Sequence, residues 1–405
     1  DTILREYWPQ KIHIEWVEPD IDFPTFRDEV FRPVMDGIQV GEYAQAVPAF
    51  WSTGGISSEG NLPMQMLSRA LSTAGTPHMN FTFFDGVNVH TASTPERLLE
   101  CDDEWIVRSD PIAGTRRKPT KSTQADIKAT LMDLAKDKKE KEELSQLVSE
   151  VAKFLIKTCS WLGKLTWPSI IECWAVFHTL YNFVAKIDDK KLFFDLLRDL
   201  FPQPTVSGWP VNAALFVITE IERKCWIDRG YYWGGFWIIQ PNYSADLALA
   251  IRYATADIEN GTVKFMAWAG CVARSNAKFE YEEIAAKKYS MQKVLETPVS
   301  QKAPSTLDKF TWMDEVQEEL DKRNTTSNQY YFRHYSENLE IPELKWKNIL
   351  IIDFEDEFAR IQAHMLRKAW AKVTRKMWYE IDAIEKDIDI CVLGPGPGNI
   401  NMELK

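Results

Sequence analysis

The feature that most constrains the fold is a series of strand-like segments bounded by turn residues. Residues 231–240, 245–256 and 262–274 carry apolar and β-branched or aromatic side chains, with turn signals at Asn242 and at Asn260-Gly261. Strands that follow one another through short turns pair antiparallel. The middle of the chain therefore predicts an antiparallel sheet.

Earlier segments extend this pattern and add helices. Residues 79–84 and 87–91 flank Asp85-Gly86, which is a typical hairpin turn sequence. Helical periodicity occurs between the strand-like segments. The predicted helices are 23–35, 62–72, 124–159, 190–200, 211–222 and 279–295. Together these elements predict an α+β fold, with two packed antiparallel-rich sheets and helices outside them.

The last sixty residues have a different character. Residues 349–353 form a continuous apolar run of the kind found in buried parallel strands. A helix over 357–371 and a short strand over 390–393 complete a β-α-β unit, which cannot cover both faces of its sheet alone. We therefore expect a domain over 1–295, a polar and proline-rich linker over 296–346, and the incomplete start of an α/β domain over 347–405.

Charge and hydropathy exclude several classes of protein. The 59 acidic residues outnumber the 48 basic ones, giving a net charge of −11, so no nucleic-acid partner is expected. No run of eighteen apolar residues and no secretory signal are visible, so no membrane partner is expected. Six cysteines without a CxxC pair favour reduced, buried thiols in a cytoplasmic protein. A divalent cation in an acidic pocket remains possible.

Nine short motifs occur in a fixed order along the chain. They are Thr94-Pro95-Glu96-Arg97, Pro111-Ile112-Ala113-Gly114-Thr115-Arg116, Glu140 to Glu143, His178, Thr205-Val206-Ser207-Gly208, Arg229-Gly230-Tyr231-Tyr232-Trp233-Gly234-Gly235, Ala250-Ile251-Arg252, Ala269-Gly270-Cys271-Val272, and Glu280 to Glu283 with Lys287. Over residues 22–295 this order resembles the chorismate-utilising enzymes, which include anthranilate synthase large subunits and the isochorismate and salicylate synthases.

The tail carries a second resemblance. Residues 349–399 resemble the beginning of a class I glutamine amidotransferase domain, and the 355–358 and 363–367 segments lean towards the fused family members of phenazine biosynthesis. Gly396 and Gly398 resemble the remnant of its oxyanion loop, whereas the nucleophilic cysteine would lie beyond Lys405. Cys391, on an apolar strand, is expected to be structural.

The resemblance implies a reaction and its partners. It implies that chorismate is aminated with ammonia from glutamine to 2-amino-2-deoxyisochorismate, with Mg²⁺ as the cofactor. The alternative within the family is anthranilate synthase, which also eliminates pyruvate. A homodimer, or a complex with a glutaminase partner, is implied as well.

The same resemblance places a magnesium site on three glutamates. Glu143, Glu280 and Glu283 match the family's metal positions, and oxygen ligands suit Mg²⁺. Glu280 and Glu283 are three residues apart, which puts them on one helical face. For Glu140 and Glu142 the helical periodicity favours a solvated surface instead.

Two residues match catalytic positions. Glu96 resembles the acid that protonates the departing hydroxyl, a role that needs a raised pKa. His178 matches the family's active-site histidine, although a lone histidine among apolar residues is otherwise more often a core residue.

Other residues match substrate-binding positions. Arg252 would clamp the pyruvyl carboxylate bidentately, unless it is a strand-edge residue paired with Asp246. Thr115 and Lys287 match neighbours of the ring carboxylate and of the metal, and could instead be ordinary turn and helix-surface residues. The remaining substrate-binding candidates are Thr205, Ser207, Tyr232 and Gly270.

Several positions depart from the family pattern. Trp209, Trp233 and Trp268 replace small residues, and Lys186 and Ser149 replace a glycine and an aspartate. Glycine permits a close approach between backbone and ligand, whereas tryptophan would fill the space. A homologue that keeps the fold but not the catalysis is therefore a rival prediction.

Overall fold

A computed structural model describes most of the chain. It covers residues 11–72, 78–119, 123–162, 166–173, 175–188, 191–297, 314–327, 341–354, 358–381 and 383–394.

Twenty strands lie in the described residues. They are β1 Ile12–Pro19, β2 Gln45–Ala46, β3 Ala49–Ser58, β4 Met79–Phe84, β5 Asn88–Thr94, β6 Arg97–Cys101, β7 Ile106–Ser109, β8 Ile112–Arg117, β9 Cys159–Leu162, β10 Thr166–Cys173, β11 Val176–Ile187, β12 Gly208–Trp209, β13 Gly235–Ile239, β14 Ala245–Leu249, β15 Tyr253–Asp257, β16 Thr262–Trp268, β17 Cys271–Val272, β18 Asn348–Asp353, β19 Lys372–Met377 and β20 Ile390–Leu393.

The helices lie between these strands. They are α1 Phe23–Thr25, α2 Arg32–Val40, α3 Leu62–Leu71, α4 Gln124–Lys136, α5 Lys138–Thr158, α6 Phe193–Leu200, α7 Pro204–Ser207, α8 Val211–Cys225, α9 Ala277–Glu296, α10 Asp314–Ser327 and α11 Phe358–Lys368. A π-helical turn, Phe26–Phe31, joins α1 to α2, and single 3₁₀ turns occur at Pro342–Leu344 and Trp378–Glu380.

The predicted α+β architecture is confirmed. One sheet has the order β1-β3-β16-β15-β5-β4, and the other has the order β10-β11-β7-β6-β14-β13, with β8 and β9 also paired to β11. All pairs in both sheets are antiparallel. The main apolar core draws residues from both sheets and from α5 and α8. Among the described residues, no helix combines the length and the apolar character needed to cross a membrane.

The chain passes between the two sheets twice, and both passages matter for the site. Strand β5 belongs to one sheet and β6 to the other, with Pro95 and Glu96 between them. In the same way β14 leads to β15 through residues 250–252. The two passages are neighbours, because the Leu249 amide donates to the Glu96 carbonyl and the Ser93 amide donates to the Arg252 carbonyl. Glu96 and Arg252 are thus brought to one place between the sheets.

The single strand predicted over 245–256 was therefore wrong. Arg252 adopts a φ of 50°, in the left-handed region, and this turn ends one strand before Tyr253 begins the next. Apolar alternation continues through the turn because both halves are buried, so the pattern does not reveal a change of sheet.

The helix predicted over 124–159 is divided. Asp137 has an extended backbone, with a ψ of 123°, and its side chain accepts from the amides of Lys139 and Glu140. A residue that caps the next helix in this way ends the previous one. The charged composition on both sides of Asp137 hides the boundary.

The segment 296–346, predicted to be a linker, contains the helix α10. Val316 and Leu320 of this helix are buried in a small apolar cluster with Ile127 and Leu131 of α4. The Lys128 ammonium also lies 2.6 Å from a Glu315 carboxylate oxygen. This part of the predicted linker packs on the first domain, and the division of the chain at residue 295 stays a prediction.

The C-terminal unit is a parallel sheet of order β19-β18-β20. The predicted strands at 349–353 and 390–393 are present, but β19 was missed because it carries Lys372, Arg375 and Lys376. The six cysteines are free, and Cys101 and Cys271 are buried as expected. Cys159, Cys173 and Cys225 are partly exposed. The prediction of a buried thiol was wrong for Cys391, which is exposed, because β20 lies at the edge of its sheet.

Candidate active site

Two capped helices point their first turns at each other. Asp137 caps α5, and Asn276 caps α9 by accepting from the amides of Lys278 and Phe279. The glutamates lie in the first two turns after each cap. They are Glu140 and Glu143 on α5 and Glu280 and Glu283 on α9.

The four carboxylates converge on a single ammonium group. The Lys139 Nζ atom lies 3.2 Å from Glu143 Oε2, 3.4 Å from Glu280 Oε1, 3.7 Å from Glu283 Oε2 and 3.8 Å from Glu140 Oε1. The predicted metal residues are thus brought together. Lys139 was missed, because it belongs to a charged run that has the composition of a solvated surface.

Burial and charge act against each other in this cluster. Burial raises the pKa of Glu143 to about 7 and that of Glu280 to about 8. Burial also acts to raise the pKa of Glu283, but the cations Lys287 and Lys139 outweigh it and hold that pKa at about 2. Glu283 is therefore the firmest anion of the three.

The chemistry of the donor set fits a hard cation. Every donor is a carboxylate oxygen, and the buried oxygens Glu143 Oε2 and Glu280 Oε2 accept no hydrogen bond. Glu143, Glu280 and Glu283 are the residues that would hold magnesium. Among the described residues no three carboxylate, histidine or cysteine side chains stand in a metal-binding arrangement, because the carboxylates surround Lys139 instead.

Glu140 is buried, so the prediction of a solvated side chain was wrong. Its Oε2 accepts from the Thr115 amide at 3.1 Å, and its Oε1 accepts from Arg116 Nη1 at 2.9 Å. Glu140 thus fixes the strand that carries Thr115. The Glu142 side chain lies outside the described part of the structure.

His178 and Arg252 form a buried hydrogen-bonded pair. His178 Nδ1 lies 3.0 Å from the Gly114 carbonyl oxygen and 3.2 Å from Thr115 Oγ1, and its Nε2 lies 2.5 Å from Arg252 Nη2. Burial and the charges of Arg252 and Lys287 hold the pKa of His178 well below its usual range. A neutral imidazole that donates from Nδ1 to the carbonyl and accepts at Nε2 satisfies both contacts.

Arg252 does not pair with Asp246, which was the alternative. Asp246 instead lies 2.6 Å from His78 Nε2. Arg252 is 6% exposed, its Nε atom has no hydrogen-bond partner, and no carboxylate lies in ion-pair contact with it among the described residues. A buried guanidinium with free donor capacity can receive a carboxylate ligand.

Glu96 is fully buried at the other passage between the sheets. Burial raises the pKa of Glu96 to about 8, against smaller opposing effects of Thr205, Ile112 and Arg252. At neutral pH this group is a protonated acid, which suits the predicted role of proton donor.

These groups line a small enclosed cavity between the sheets. Its volume is about 10 Å³, which is space for about one water molecule. Of the predicted site residues, the cavity walls include Glu96, Thr115, Glu143, His178, Arg252 and Lys287.

Trp268 fills the space beside this cavity. Its side chain is 4% exposed and lines the cavity, and its indole Nε1 has no hydrogen-bond partner. The Lys287 ammonium lies 3.3 Å from the centre of a Trp268 ring, 3.0 Å from the Trp268 carbonyl oxygen and 2.7 Å from Glu283 Oε1. Of the three tryptophans that depart from the family pattern, Trp268 is the one that lines the cavity.

The other two tryptophans lie elsewhere. Trp209 and Trp233 are not among the walls of this cavity. Arg229 stacks 2.9 Å from the centre of the Trp233 ring, and Lys153 Nζ lies 5.4 Å from the Trp209 ring.

Glycine is required at two positions because neighbouring side chains approach the backbone there. A Cβ atom on Gly270 would lie 2.3 Å from Glu143 Oε1, and one on Gly114 would lie 2.9 Å from Thr179 Oγ1. Gly114 also has a φ of 84°, which disfavours other residues. Gly270 thus serves the carboxylate cluster.

Three further predicted residues, Thr205, Ser207 and Tyr232, are buried but are not among the cavity walls. Thr205 and Ser207 are buried on α7, where Ser207 Oγ donates to the Gln203 carbonyl at 2.9 Å. Tyr232 is buried against Trp233 and Tyr253. Their substrate-binding roles stay predictions. Gly396 and Gly398 lie outside the described residues.

A larger open cleft adjoins the cluster on its outer side. Its volume is about 870 Å³, within the range of small-molecule sites. Lys139, Glu140, Glu280 and Glu283 form part of its wall, and Thr115 lines both this cleft and the inner cavity.

The sequence is similar to those of known proteins. A family model described as chorismate binding enzyme matches residues 6–293. The phenazine-specific anthranilate synthase of Pseudomonas chlororaphis is 28% identical over 389 residues, which cover 94% of this chain and 58% of that protein. Anthranilate synthase component 1 of Pseudomonas aeruginosa is 33% identical over 262 residues, which cover 64% of this chain and 50% of that protein. The chain spans about half the length of the curated relatives it matches.

Solved structures share the fold. A protein of Bacillus anthracis assigned as a 2,3-dihydroxybenzoate-specific isochorismate synthase superposes with a TM-score of 0.61 and 23% identity, over 70% of this chain and 74% of that one. Anthranilate synthase component I of Streptococcus pneumoniae superposes with a TM-score of 0.57 and 24% identity, over 69% of this chain and 59% of that one. At these identities the likeness shows the fold alone.

Proposed function

The chain belongs to the chorismate-binding enzyme family, and on this premise we propose that it aminates chorismate to 2-amino-2-deoxyisochorismate. In this reaction ammonia forms a bond to the ring, and the ring hydroxyl leaves as water. The enolpyruvyl ether stays intact, whereas an anthranilate synthase would also release pyruvate.

One observation carries the proposal: the groups that the reaction needs meet in one enclosed place. Glu96, His178 and Arg252 line the same cavity, although 156 residues separate the first from the last. Glu143 lines this cavity and also belongs to the carboxylate cluster around Lys139, which joins the cavity to the cluster on α5 and α9.

Each group has a role that its environment supports. Protonated Glu96 donates the proton that lets the hydroxyl leave as water. Arg252, which neutral His178 orients, binds a substrate carboxylate through two parallel hydrogen bonds. Glu143, Glu280 and Glu283 would hold magnesium, which supplies positive charge to bind and polarise the second substrate carboxylate.

The amination product and the ammonia source are inferred from the relatives. The relative whose alignment covers 94% of this chain is named as phenazine-specific, and that alignment runs well past the family match at residue 293. We infer that ammonia comes from glutamine, through an amidotransferase that begins in the C-terminal unit or through a partner subunit.

A second candidate function follows from Trp268. The inner cavity holds about one water molecule, and the indole ring stands where the family pattern has glycine. A protein that keeps the fold and has lost turnover is therefore the rival proposal.

One product analysis separates these possibilities. The protein is incubated with chorismate, ammonium and magnesium, and the products are identified by chromatography and mass spectrometry. An aminated ring that keeps its enolpyruvyl group supports the proposal, and anthranilate with free pyruvate supports the alternative reaction. Consumption of no chorismate, under conditions where an active anthranilate synthase converts it, contradicts both.

The Trp268→Gly variant then tests the rival. If the indole ring blocks the cavity, this variant binds chorismate about tenfold or more tightly than the parent, as calorimetry would show. Trp209→Ala is the matched control, because its ring does not line the cavity. Equal affinity in all three proteins would show that Trp268 does not obstruct the ligand.

A further inference from the structure

The carboxylate cluster has an unusual balance of charge. Four buried or nearly buried glutamates meet there, and three cations face them. Arg116 is bonded to Glu140, and Lys287 is bonded to Glu283. Among the described residues, Lys139 is the one cation within 4 Å of all four carboxylates, and it therefore links the acidic turns of the two helices.

Lys139 is held by charge more than by hydrogen bonding. Its four contacts span 3.2 to 3.8 Å, and Glu143 Oε2, the nearest of the four oxygens, accepts no hydrogen bond. Burial acts to lower the pKa of Lys139, but the carboxylates raise it well above its usual range, so the ammonium stays charged. The interaction of Lys139 with the carboxylates is therefore mainly Coulombic, as it would be for a weakly bound metal ion.

We propose that Lys139 is a built-in counter-cation that takes the place of magnesium among Glu143, Glu280 and Glu283, and that Mg²⁺ binds only when this ammonium moves out. The proposal rests on the proposed function for the choice of metal. Lys139 thereby sets the magnesium concentration at which the site fills.

The position of Lys139 allows this movement. It lies in the first turn of α5, its side chain is 14% exposed, and it lines the outer cleft. That cleft is also lined by Asp133, Asp137 and Glu282, so a displaced ammonium would remain among acidic side chains. A doubly charged ion gains more than a single ammonium from the same carboxylates, because the Coulomb attraction scales with charge.

The test compares two lysines that are neighbours in the sequence. Lys139→Met removes the ammonium and keeps the apolar stem, whereas Lys138→Met makes the same change on an exposed side chain. Magnesium binding is measured by calorimetry on the metal-free full chain, without substrate. We expect Mg²⁺ to bind about tenfold or more tightly to Lys139→Met, and Lys138→Met to match the parent.

Thermal unfolding gives a second readout. In EDTA the Lys139→Met protein should melt at a lower temperature than the parent, because its carboxylates lack their counter-cation. Magnesium should raise its melting temperature by more than it raises that of the parent. A variant that folds only with magnesium supports the proposal in the same way.

Several results would contradict the proposal that Lys139 takes the place of magnesium. Magnesium affinity that is unchanged or weaker in Lys139→Met shows that the ammonium does not compete with the metal. A variant that folds neither in EDTA nor in magnesium shows that the metal cannot replace the ammonium. Because neither readout uses turnover, an inactive protein with the expected magnesium response contradicts the proposed function only.

Discussion

Arg252 has the environment expected of a residue that binds an anionic ligand. It is fully enclosed, bonded to neutral His178, and without a carboxylate partner among the described residues. Lysine cannot reproduce its planar fork, so Arg252→Lys should weaken chorismate binding by about one to two orders of magnitude. Calorimetry measures the affinity, and the melting temperature should change little.

A second buried arginine provides the control for this substitution. Arg229 stacks on Trp233 and pairs with Glu222, away from the cavity. Arg229→Lys should therefore lower stability and leave chorismate affinity unchanged. If Arg252→Lys instead melts early and binds normally, Arg252 has a structural role.

Glu96 should give the protein a measurable dependence of stability on pH. Its pKa is about 8 in the folded protein, against an ordinary value of 4.5. Between these values the folded state holds a proton that the unfolded state has lost. The free energy of unfolding should therefore fall as pH rises from 4.5 to 8, by at most about 1.4 kcal/mol per pH unit from this group.

The Glu96→Gln variant isolates this contribution. Denaturant unfolding is measured for both proteins at a series of pH values. Between pH 4.5 and 8 the free energy of unfolding of the parent should fall relative to that of Glu96→Gln, and above pH 8 the offset between the two should be constant. Other titrating groups are common to both proteins and cancel in the comparison. Parallel curves would mean that Glu96 is ionised in the folded state, and the proton-donor role would fail.

At the scale of secondary structure, the site depends on the cap that starts α5. Asp137 accepts from the amides of Lys139 and Glu140 and ion-pairs with Arg116. Asp137→Ala should lower the free energy of unfolding by about 0.5–2 kcal/mol. Asp137→Asn keeps a good cap and loses only the charge, so denaturant unfolding should show a smaller loss. Equal losses would assign the effect to the ion pair.

Sequence patterns predicted most helices and strands, but they did not predict which of these elements are neighbours in the fold. The hairpin from β4 to β5 and the helices α8 and α9 follow directly from turn residues and periodicity. The passage at residues 250–252 was hidden, because alternation shows that a residue is buried but not in which sheet. The motif order located Glu96, His178 and Arg252, whereas no local pattern could show that they share a cavity.

The charged residues of α5 show the same limit more sharply. Lys139 and Glu140 lie in a run with the composition of an exposed helix, but β8 contacts Glu140 and α9 contacts Lys139, and both side chains are largely enclosed. Buried ions depend on partners that are distant in sequence, here more than 130 residues away. Matching the glutamates to a family pattern found the anions and left their counter-cation unnoticed.

At the scale of the whole molecule, the structure that belongs with the family-matched domain extends beyond the family match. The family match stops at residue 293, yet α10 lies beyond it and packs on α4. The helix α11 of the C-terminal unit in turn contacts α5, and Met365 packs against the main core. The chain after residue 295 is therefore structurally coupled to the site-bearing part.

Leu320 allows a direct test of that coupling. It is 3% exposed, and its partners in the apolar cluster include Ile127 and Leu131 of α4. If α10 belongs to the same folded unit as residues 1–295, Leu320→Ala should lower the free energy of unfolding by about 2–5 kcal/mol, because the substitution leaves a cavity in a packed cluster. Glu318→Ala changes an exposed side chain of the same helix and should shift it by less than about 0.5 kcal/mol. Both effects are measured by denaturant unfolding of the full chain. If the two substitutions have equally small effects, α10 contributes nothing to the stability of that folded unit, and the whole of 296–346 acts as a linker.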